Sequence, residues 1–201
     1  MTTHAATAHM PVHGADAGMS RGMAGMVLFI ASEIMLFGGL FAGYFYVRNQ
    51  AEVWPPEAIE HTLDATTGGI LTAILVISGL IAHMGVVGAK GGKFGLFILG
   101  MAGAIALGTI FIVGQAYEWF SLMDEGLTAE SGVYGSTFYV MTGFHGAHVI
   151  AGLAMLAVVF VRAFWRDFTP TRHLFVDAGV LYWHFVDVVW VFLYVILYVW
   201  V

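Results

Sequence analysis

YWHFVDVVW, residues 182–190, places a histidine and an aspartate inside an apolar run long enough to cross a bilayer, and GFHGAH, residues 143–148, places two histidines in another. Lipid cannot solvate such groups, and an ionisable residue at the centre of a spanning helix costs about 2.5–3.5 kcal/mol on insertion scales. We therefore expect these side chains to have partners. The chain is predicted either to sit in a larger membrane assembly or to fold its polar groups against one another.

The composition is that of a membrane protein. The 201 residues are 60% hydrophobic and 10% charged, with a mean hydropathy of +0.86, far above that of a soluble domain. The seven Lys and Arg residues form no patch, so nucleic acid is not expected as a partner. Since the chain has no cysteine, it has neither disulfides nor thiolate metal sites.

Five transmembrane helices are predicted, because in lipid every backbone polar group must be satisfied within its own segment and apolar runs of about 20 residues recur. The expected fold class is all-α, a polytopic membrane protein with a five-helix bundle in residues 22–201. A flexible polar tail is predicted for residues 1–21. The predicted spans are approximately residues 24–47, 68–87, 94–120, 135–163 and 176–201.

The charges of the loops predict the orientation. The segments before the first span, between the second and third, and between the fourth and fifth hold the basic residues Arg21, Lys90, Lys93, Arg162, Arg166 and Arg172. The other two loops hold one base, Arg48, and the acids Glu52, Glu57, Glu60, Asp64, Asp124, Glu125 and Glu130. Because basic loops prefer the cytoplasmic side, the N-terminus is expected in the cytoplasm and the C-terminus outside.

Acidic and polar side chains within the spans are the first candidates for function. Glu33 lies about nine residues into the first span, near the midplane at 1.5 Å per residue, and Asp187 lies at a similar depth in the fifth. Glu33 is interpreted either as a proton-exchanging or regulatory acid, or as a structural acid that locks helix packing. Gln115 and Glu118 lie near the outer end of the third span. Glu118, like His83 near the inner end of the second span, is expected to reach interfacial water.

Histidines in the last two spans form the second group of candidates. His145 and His148 lie three residues apart on one helical face, and His184 and Asp187 repeat that spacing. The imidazoles could ligate a metal or a haem, as in a bis-histidine cytochrome, or could donate hydrogen bonds across a helix interface. His148, His184 and Asp187 share a depth with Glu33, so a polar network of these four residues is one prediction.

No catalytic constellation accompanies these residues. The helices are not interrupted by a Walker motif, a nucleophile elbow or a dinucleotide fingerprint. A membrane redox enzyme that binds haem through its own histidines is one alternative. A proton-coupled transporter is another, against which the chain shows no paired discontinuous helices. From the residues alone, neither a catalytic residue nor a metal ligand is assigned.

Several longer motifs resemble subunit III of the haem-copper oxidases, most closely that of cytochrome c oxidase. The resemblance extends from the first span to the C-terminus. It rests on SEIMLF at residues 32–37, WPP at 54–56, QAYE at 115–118, SGVYGSTF at 131–138, TGFHGAHV at 142–149, and YWHFVDVVW continuing into VFLY at 182–194.

The resemblance implies an accessory chain in a bacterial plasma membrane that has no cofactor of its own. It would pack beside subunit I, which holds the haems and one copper, while subunit II receives electrons from cytochrome c. The complex would reduce oxygen to water and translocate protons, with this chain stabilising the catalytic subunit and supporting proton uptake. Glu33 matches the buried carboxylate of the family. Subunit III of a quinol oxidase is the alternative.

The number of spans is the one visible departure from the family pattern. Many members have seven spans, and this chain resembles the shorter bacterial form, which lacks the first two helices. In the longer form, those helices make one wall of a lipid-filled cleft. A bound phospholipid is therefore expected here only where another subunit supplies that wall.

Overall fold

The computed structural model describes residues 20–56, 63–165 and 167–200. Each helix in these residues is long and apolar enough to cross a membrane, so the predicted all-α bundle of five spans is confirmed. Residues 1–19 of the predicted tail, Glu57, Glu60, Arg166 and Val201 lie outside the described residues. The helices are α1 (Arg21–Gln50), α2 (Ala65–Lys90), α3 (Phe94–Asp124), α4 (Val133–Phe164) and α5 (Leu174–Tyr194), and a π-helical segment, Val195–Val199, continues α5.

The helices extend past the predicted spans at one or both ends, by up to about one turn. Polar residues beyond each apolar run extend the helix or accept hydrogen bonds from the backbone amides at its start. Ser20 Oγ accepts the Met23 amide at 3.3 Å, and the Asp64 carboxylate accepts the amides of Thr66 at 2.9 Å and Thr67 at 3.2 Å. Such caps satisfy amides that a helix start leaves unpaired. Hydrogen bonds from the Thr67 hydroxyl and the Thr66 amide hold the pKa of Asp64 below its usual value.

The bundle is a ring of four helices with α1 outside it. In the ring, α2 packs against α3, α3 against α4, α4 against α5, and α5 against α2, while α1 lies against α5 and α4. In the most apolar stretch of α5, 61% of the residues are buried, compared with 6% for α1. Most of α5, including Asp187, is therefore buried within the protein, and most of α1 faces the surroundings of the chain.

The α2–α3 hairpin brings two helix backbones into direct contact. A Cβ added to Gly100 would overlap the backbone of Gly85, and a Cβ added to Gly88 would lie 2.5 Å from the Phe97 amide nitrogen. Small residues are what allow membrane helices to approach this closely. The glycines at this contact thus set the distance between α2 and α3.

Contacts at the two ends of the bundle show how α1 and α5 are oriented relative to each other. At one end, the first turn of α1 packs on Leu174, and Lys90 Nζ lies 3.2 Å from Asp177 Oδ1. At the other end, Arg48 donates to the Trp200 carbonyl at 2.7 Å, and its guanidinium lies over the indole ring. It follows that α1 and α5 run parallel. The first end, which holds the described basic residues of the predicted inner loops, is called the basic end below.

Candidate functional site

Glu33 of α1 and His148 of α4 form a hydrogen-bonded pair between helices. His148 Nε2 lies 2.8 Å from Glu33 Oε2, and His148 Nδ1 lies 2.7 Å from the carbonyl oxygen of Phe144. A carbonyl oxygen only accepts, so Nδ1 carries a hydrogen. One further proton is then shared between Nε2 and Oε2. The pair can exist as imidazolium and carboxylate or as neutral imidazole and carboxylic acid.

Aromatic residues enclose this pair on the side of the bundle. The Phe37 ring packs edge-on against His148, with centroids 4.9 Å apart, and also against Phe185 at 6.2 Å. The Tyr182 hydroxyl donates to the His148 carbonyl at 3.3 Å. Since little of α1 is buried, the Glu33–His148 contact is a principal polar attachment of that helix to the ring.

His145 lies one turn before His148 but faces a different part of the molecule. Its Nε2 donates to the Val186 carbonyl at 3.2 Å, and its ring packs against Trp190 at 4.8 Å and Phe111 at 5.8 Å between centroids. Only 1% of His145 is exposed. The two histidines therefore do not meet at a common ligand site, and His145 links α4 to α5.

His184 and Asp187, three residues apart in the sequence, contact each other within α5. His184 Nδ1 lies 3.5 Å from Asp187 Oδ2. Asp187 is 7% exposed, and its Oδ1 has no hydrogen-bond partner among the residues that the structure describes. Helix α2 leaves space for this carboxylate, because a Cβ on Gly79 would overlap Asp187 Oδ2. The four predicted network residues are thus brought together as two pairs, Glu33 with His148 and His184 with Asp187.

Gln115 and Glu118 form a further polar pair in α3, and here the predicted environment was wrong. Gln115 Nε2 donates to Glu118 Oε2 at 3.3 Å, and the two residues are only 3% and 7% exposed. Glu118 does not reach interfacial water as expected, because its face of α3 is turned inward, toward Tyr198 of the π-helical segment. His83, for which the same environment was expected, is exposed.

Two indole donors that sequence reasoning missed join α5 to α2. Trp183 Nε1 donates to Ser78 Oγ at 3.0 Å, and Trp190 Nε1 donates to Thr72 Oγ1 at 3.0 Å. A buried indole requires an acceptor for its N–H. The sequence did contain a signal for these contacts. Both tryptophans lie inside a span, away from the headgroup level, and hydroxyl residues lie inside another span.

Comparison with known proteins identifies the family of the chain, which the geometry alone does not. A family model described as cytochrome c oxidase subunit III matches residues 7–201. The chain belongs to the cytochrome c oxidase subunit III family. The resemblance found in the sequence is therefore confirmed, and the chain is a multi-pass membrane component of an oxidoreductase complex with several subunits.

Individual relatives of this chain match it over most of their own length. A probable cytochrome c oxidase subunit 3 of Nocardia farcinica is 42% identical over 180 residues, which are 87% of this chain and 85% of that protein. Cytochrome c oxidase subunit 3 of Corynebacterium diphtheriae is 42% identical over 181 residues, with the same coverage. The subunit 3 of Thermostichus vulcanus is 38% identical over 184 residues, again covering 87% and 85%.

A double-mutant cycle tests whether the Glu33–His148 pair holds α1 in this subunit III chain. We expect Glu33→Gln and His148→Gln each to lower the free energy of unfolding, and the double variant to lower it little further. The expected coupling is about 0.5–3 kcal/mol, as for directly contacting residues. The measurement is unfolding by a denaturing detergent. Glu33→Gln combined with His173→Gln is the control and should be additive; additivity in the Glu33–His148 cycle would contradict the pair.

Proposed function

We propose that this chain is the accessory, cofactor-free subunit III of a proton-pumping cytochrome c oxidase in a bacterial plasma membrane. It packs directly against subunit I and shares the complex with subunit II, which takes electrons from cytochrome c. Haem and copper reside in those partner subunits, where oxygen is reduced to water. The chain itself stabilises the catalytic subunit and supports proton uptake, and none of its residues is assigned a catalytic role.

The observation that carries the cofactor-free assignment is that the histidines of α4 are engaged within the chain. Both ring nitrogens of His148 have partners, Glu33 and the Phe144 carbonyl. His145 lies between two aromatic rings with 1% of its surface exposed, which leaves no access for a porphyrin. Ligation of haem iron by these imidazoles would require breaking the contacts that join α4 to α1 and α5. Among residues 20–56, 63–165 and 167–200, no group of three or more His, Asp or Glu side chains is arranged to hold a metal ion.

Bound phospholipid is part of the proposal. An apolar groove of about 520 Å³ runs between α1 and α5, with Ile30, Phe37, Phe185 and Phe192 in its walls. Hydrocarbon is the chemistry that such a lining accepts, so an acyl chain is the proposed occupant. A partner subunit that closes the open side of the groove would supply the wall that the first two helices make in longer family members.

The cytoplasmic placement of the N-terminus is likewise proposed. At the basic end, the starts of α1 and α5 lie beside the end of α2, close to Lys90 and Asp177. Basic residues near span ends favour the cytoplasmic side. The basic end of the bundle is therefore assigned to the cytoplasm, the side from which an oxidase takes up protons.

The proposal predicts that Glu33→Gln leaves the redox centres intact. We expect the complex purified in mild detergent to keep its haem spectrum, its copper content and its subunits I and II, because the proposal places the redox centres in those subunits and the Glu33 carboxylate bonds to His148 of this chain. Absorption spectra, metal analysis and subunit composition are the measurements, with the unaltered complex as reference. Loss of haem in this variant, or a haem absorption band in the isolated chain, would contradict the proposal.

A dinuclear copper site in the co-purified subunit II separates the cytochrome c oxidase from a quinol oxidase.

A further inference from the structure

A crevice lined by both titratable and apolar side chains lies at the basic end of the bundle, apart from the Glu33–His148 pair. It has a volume of about 330 Å³ and lies between α1, α2 and α5. Lys90 and Asp177 stand at its mouth, with Lys90 Nζ 3.2 Å from Asp177 Oδ1, and His173 Nε2 lies 3.4 Å from Asp177 Oδ2. These charged groups begin a series of titratable side chains that continues inward.

The inner part of the crevice is lined by two histidines. The ring centroids of His83 and His184 are 6.1 Å apart, and both residues contribute to the crevice wall. His184 also turns its Nδ1 toward Asp187 Oδ2, at 3.5 Å. Asp187 is not part of the lining and is buried beneath Gly79 of α2. His184 therefore has contact with the crevice and with the buried carboxylate at once.

We propose that Asp187 is a proton-binding site that is loaded from the basic end through this crevice, with His184 as the relay. Water in the crevice delivers a proton to Nε2 of neutral His184, and the Nδ1 proton passes to Asp187 Oδ2. The carboxylate becomes a neutral acid, and the imidazole remains neutral with its hydrogen on the other nitrogen. Imidazole suits this step because it can accept at one nitrogen and donate from the other.

The packing beyond Asp187 makes the site one-sided. Toward the other end of the bundle, α5 and α2 are sealed by Leu75 and Trp190, both fully buried. Toward α1, the groove that His184 also borders is otherwise apolar. In this proposal, Asp187 therefore exchanges protons through the crevice at the basic end.

Other titratable groups also lie on the helices that pack against α5. On α4, His145 is bonded to the Val186 carbonyl, and His148 is bonded to Glu33 of α1, behind the Phe37 ring. On α2, His83 is the group that faces His184. The Asp187 site is a property of this chain and stands whether or not the chain supports proton uptake by subunit I.

Cysteine accessibility tests the crevice, and the cysteine-free chain is a ready background for it. His83→Cys lies in the crevice, whereas the neighbouring Met84→Cys projects from the outer surface of α2, where Met84 is half-exposed. The complex in sealed vesicles is treated with a charged, membrane-impermeant thiosulfonate, and Lys93→Cys marks the basic end. Because the thiolate forms in water, we expect His83→Cys to react at least about tenfold faster than Met84→Cys, and from the side of Lys93→Cys. Equal rates, or reaction from the opposite side, would overturn the crevice as a route.

Infrared spectroscopy of the purified complex tests the proton-binding site itself. We expect a protonated-carboxyl carbonyl band that appears as the pH is lowered, is absent in Asp187→Asn and persists in Glu118→Gln. Hydrogen–deuterium exchange of that band is expected to slow at least about tenfold in His184→Gln, which removes the relay nitrogen. A band unchanged in Asp187→Asn, or exchange as fast in His184→Gln as in the unaltered complex, would sink the proposal.

Discussion

Trp183→Ala is expected to lower the free energy of unfolding of this subunit by about 3–5 kcal/mol, the range for deleting a large buried aromatic side chain. The Trp183 ring is fully buried and sits in notches of α3 and α4, where a Cβ on Gly108 would be 2.6 Å from the ring and a Cβ on Gly152 would be 2.7 Å from it. Its indole N–H also donates to Ser78 of α2. One side chain of α5 thus contacts all three other helices of the ring, and its removal leaves a cavity at their junction.

The effect is measured by detergent-induced unfolding and by the amount of this chain that remains with the purified complex. Trp165→Ala is the matched control, because Trp165 is exposed at the end of α4 and its loss should change the free energy of unfolding little. Trp183→Phe should fall between the two, since it keeps much of the ring volume but loses the hydrogen bond. A Trp183→Ala variant as stable as the Trp165→Ala variant would refute the central role of this residue.

Gly100→Ala is expected to destabilise the chain by about 1–3 kcal/mol, as an overpacked interface does. The added methyl group would meet the backbone of Gly85, and the Ile81 carbonyl oxygen at 2.9 Å. Backbone atoms cannot retreat as the end of a flexible side chain can, so α2 and α3 must separate along their contact. The same unfolding measurement applies to this variant.

Gly95→Ala on the same helix is the control for Gly100→Ala. A Cβ at Gly95 meets nothing within 4 Å, and alanine is favoured over glycine in a helix by about 0.5–1 kcal/mol. Gly95→Ala should therefore be neutral or slightly stabilising. If both variants behaved alike, the backbone contact between α2 and α3 would not be what sets their separation.

The number and approximate limits of the helices could be predicted because the bilayer fixes them. A segment in lipid must satisfy its own backbone and must be long enough to cross, so apolar length alone identifies α1 to α5. What lies at the ends is less constrained. The caps at Ser20 and Asp64, and the π-helical continuation of α5 at Val195–Val199, depend on local hydrogen bonds that hydropathy does not record.

The depth of the polar residues could also be predicted, but the direction in which each side chain points could not. Counting residues along a helix places Glu33 and His148 at one height, and the structure joins them across α1 and α4. The same counting placed Glu118 near the membrane surface, yet the rotation of α3 turns it inward. The rotation of a helix about its axis depends on which of its faces packs against which neighbouring helix. That pairing cannot be deduced from one sequence.

Glycine contacts were the least predictable part of the site. Gly79 makes room for Asp187, and Gly85 and Gly100 let two helices touch. Glycines recur throughout the spans, and nothing local distinguishes these from Gly25 or Gly39, beside which there is open space. A glycine is required only where another helix or side chain occupies the space that a Cβ would take. The sequence alone does not show where that occurs.

The attachment of α1 to helices made late in synthesis bears on how the polypeptide enters the bilayer. Glu33 is translated 115 residues before His148, which at 5–20 residues per second is a delay of roughly 6–23 s. Throughout that interval the nascent helix carries an acid with no counterpart, and an ionisable group cannot be released into hydrocarbon cheaply. Until the fourth helix emerges, the apolar residues around Glu33 have to offset the cost of this acid in the first helix. A polypeptide arrested before that point would display a stranded acid by which membrane quality control can recognise it.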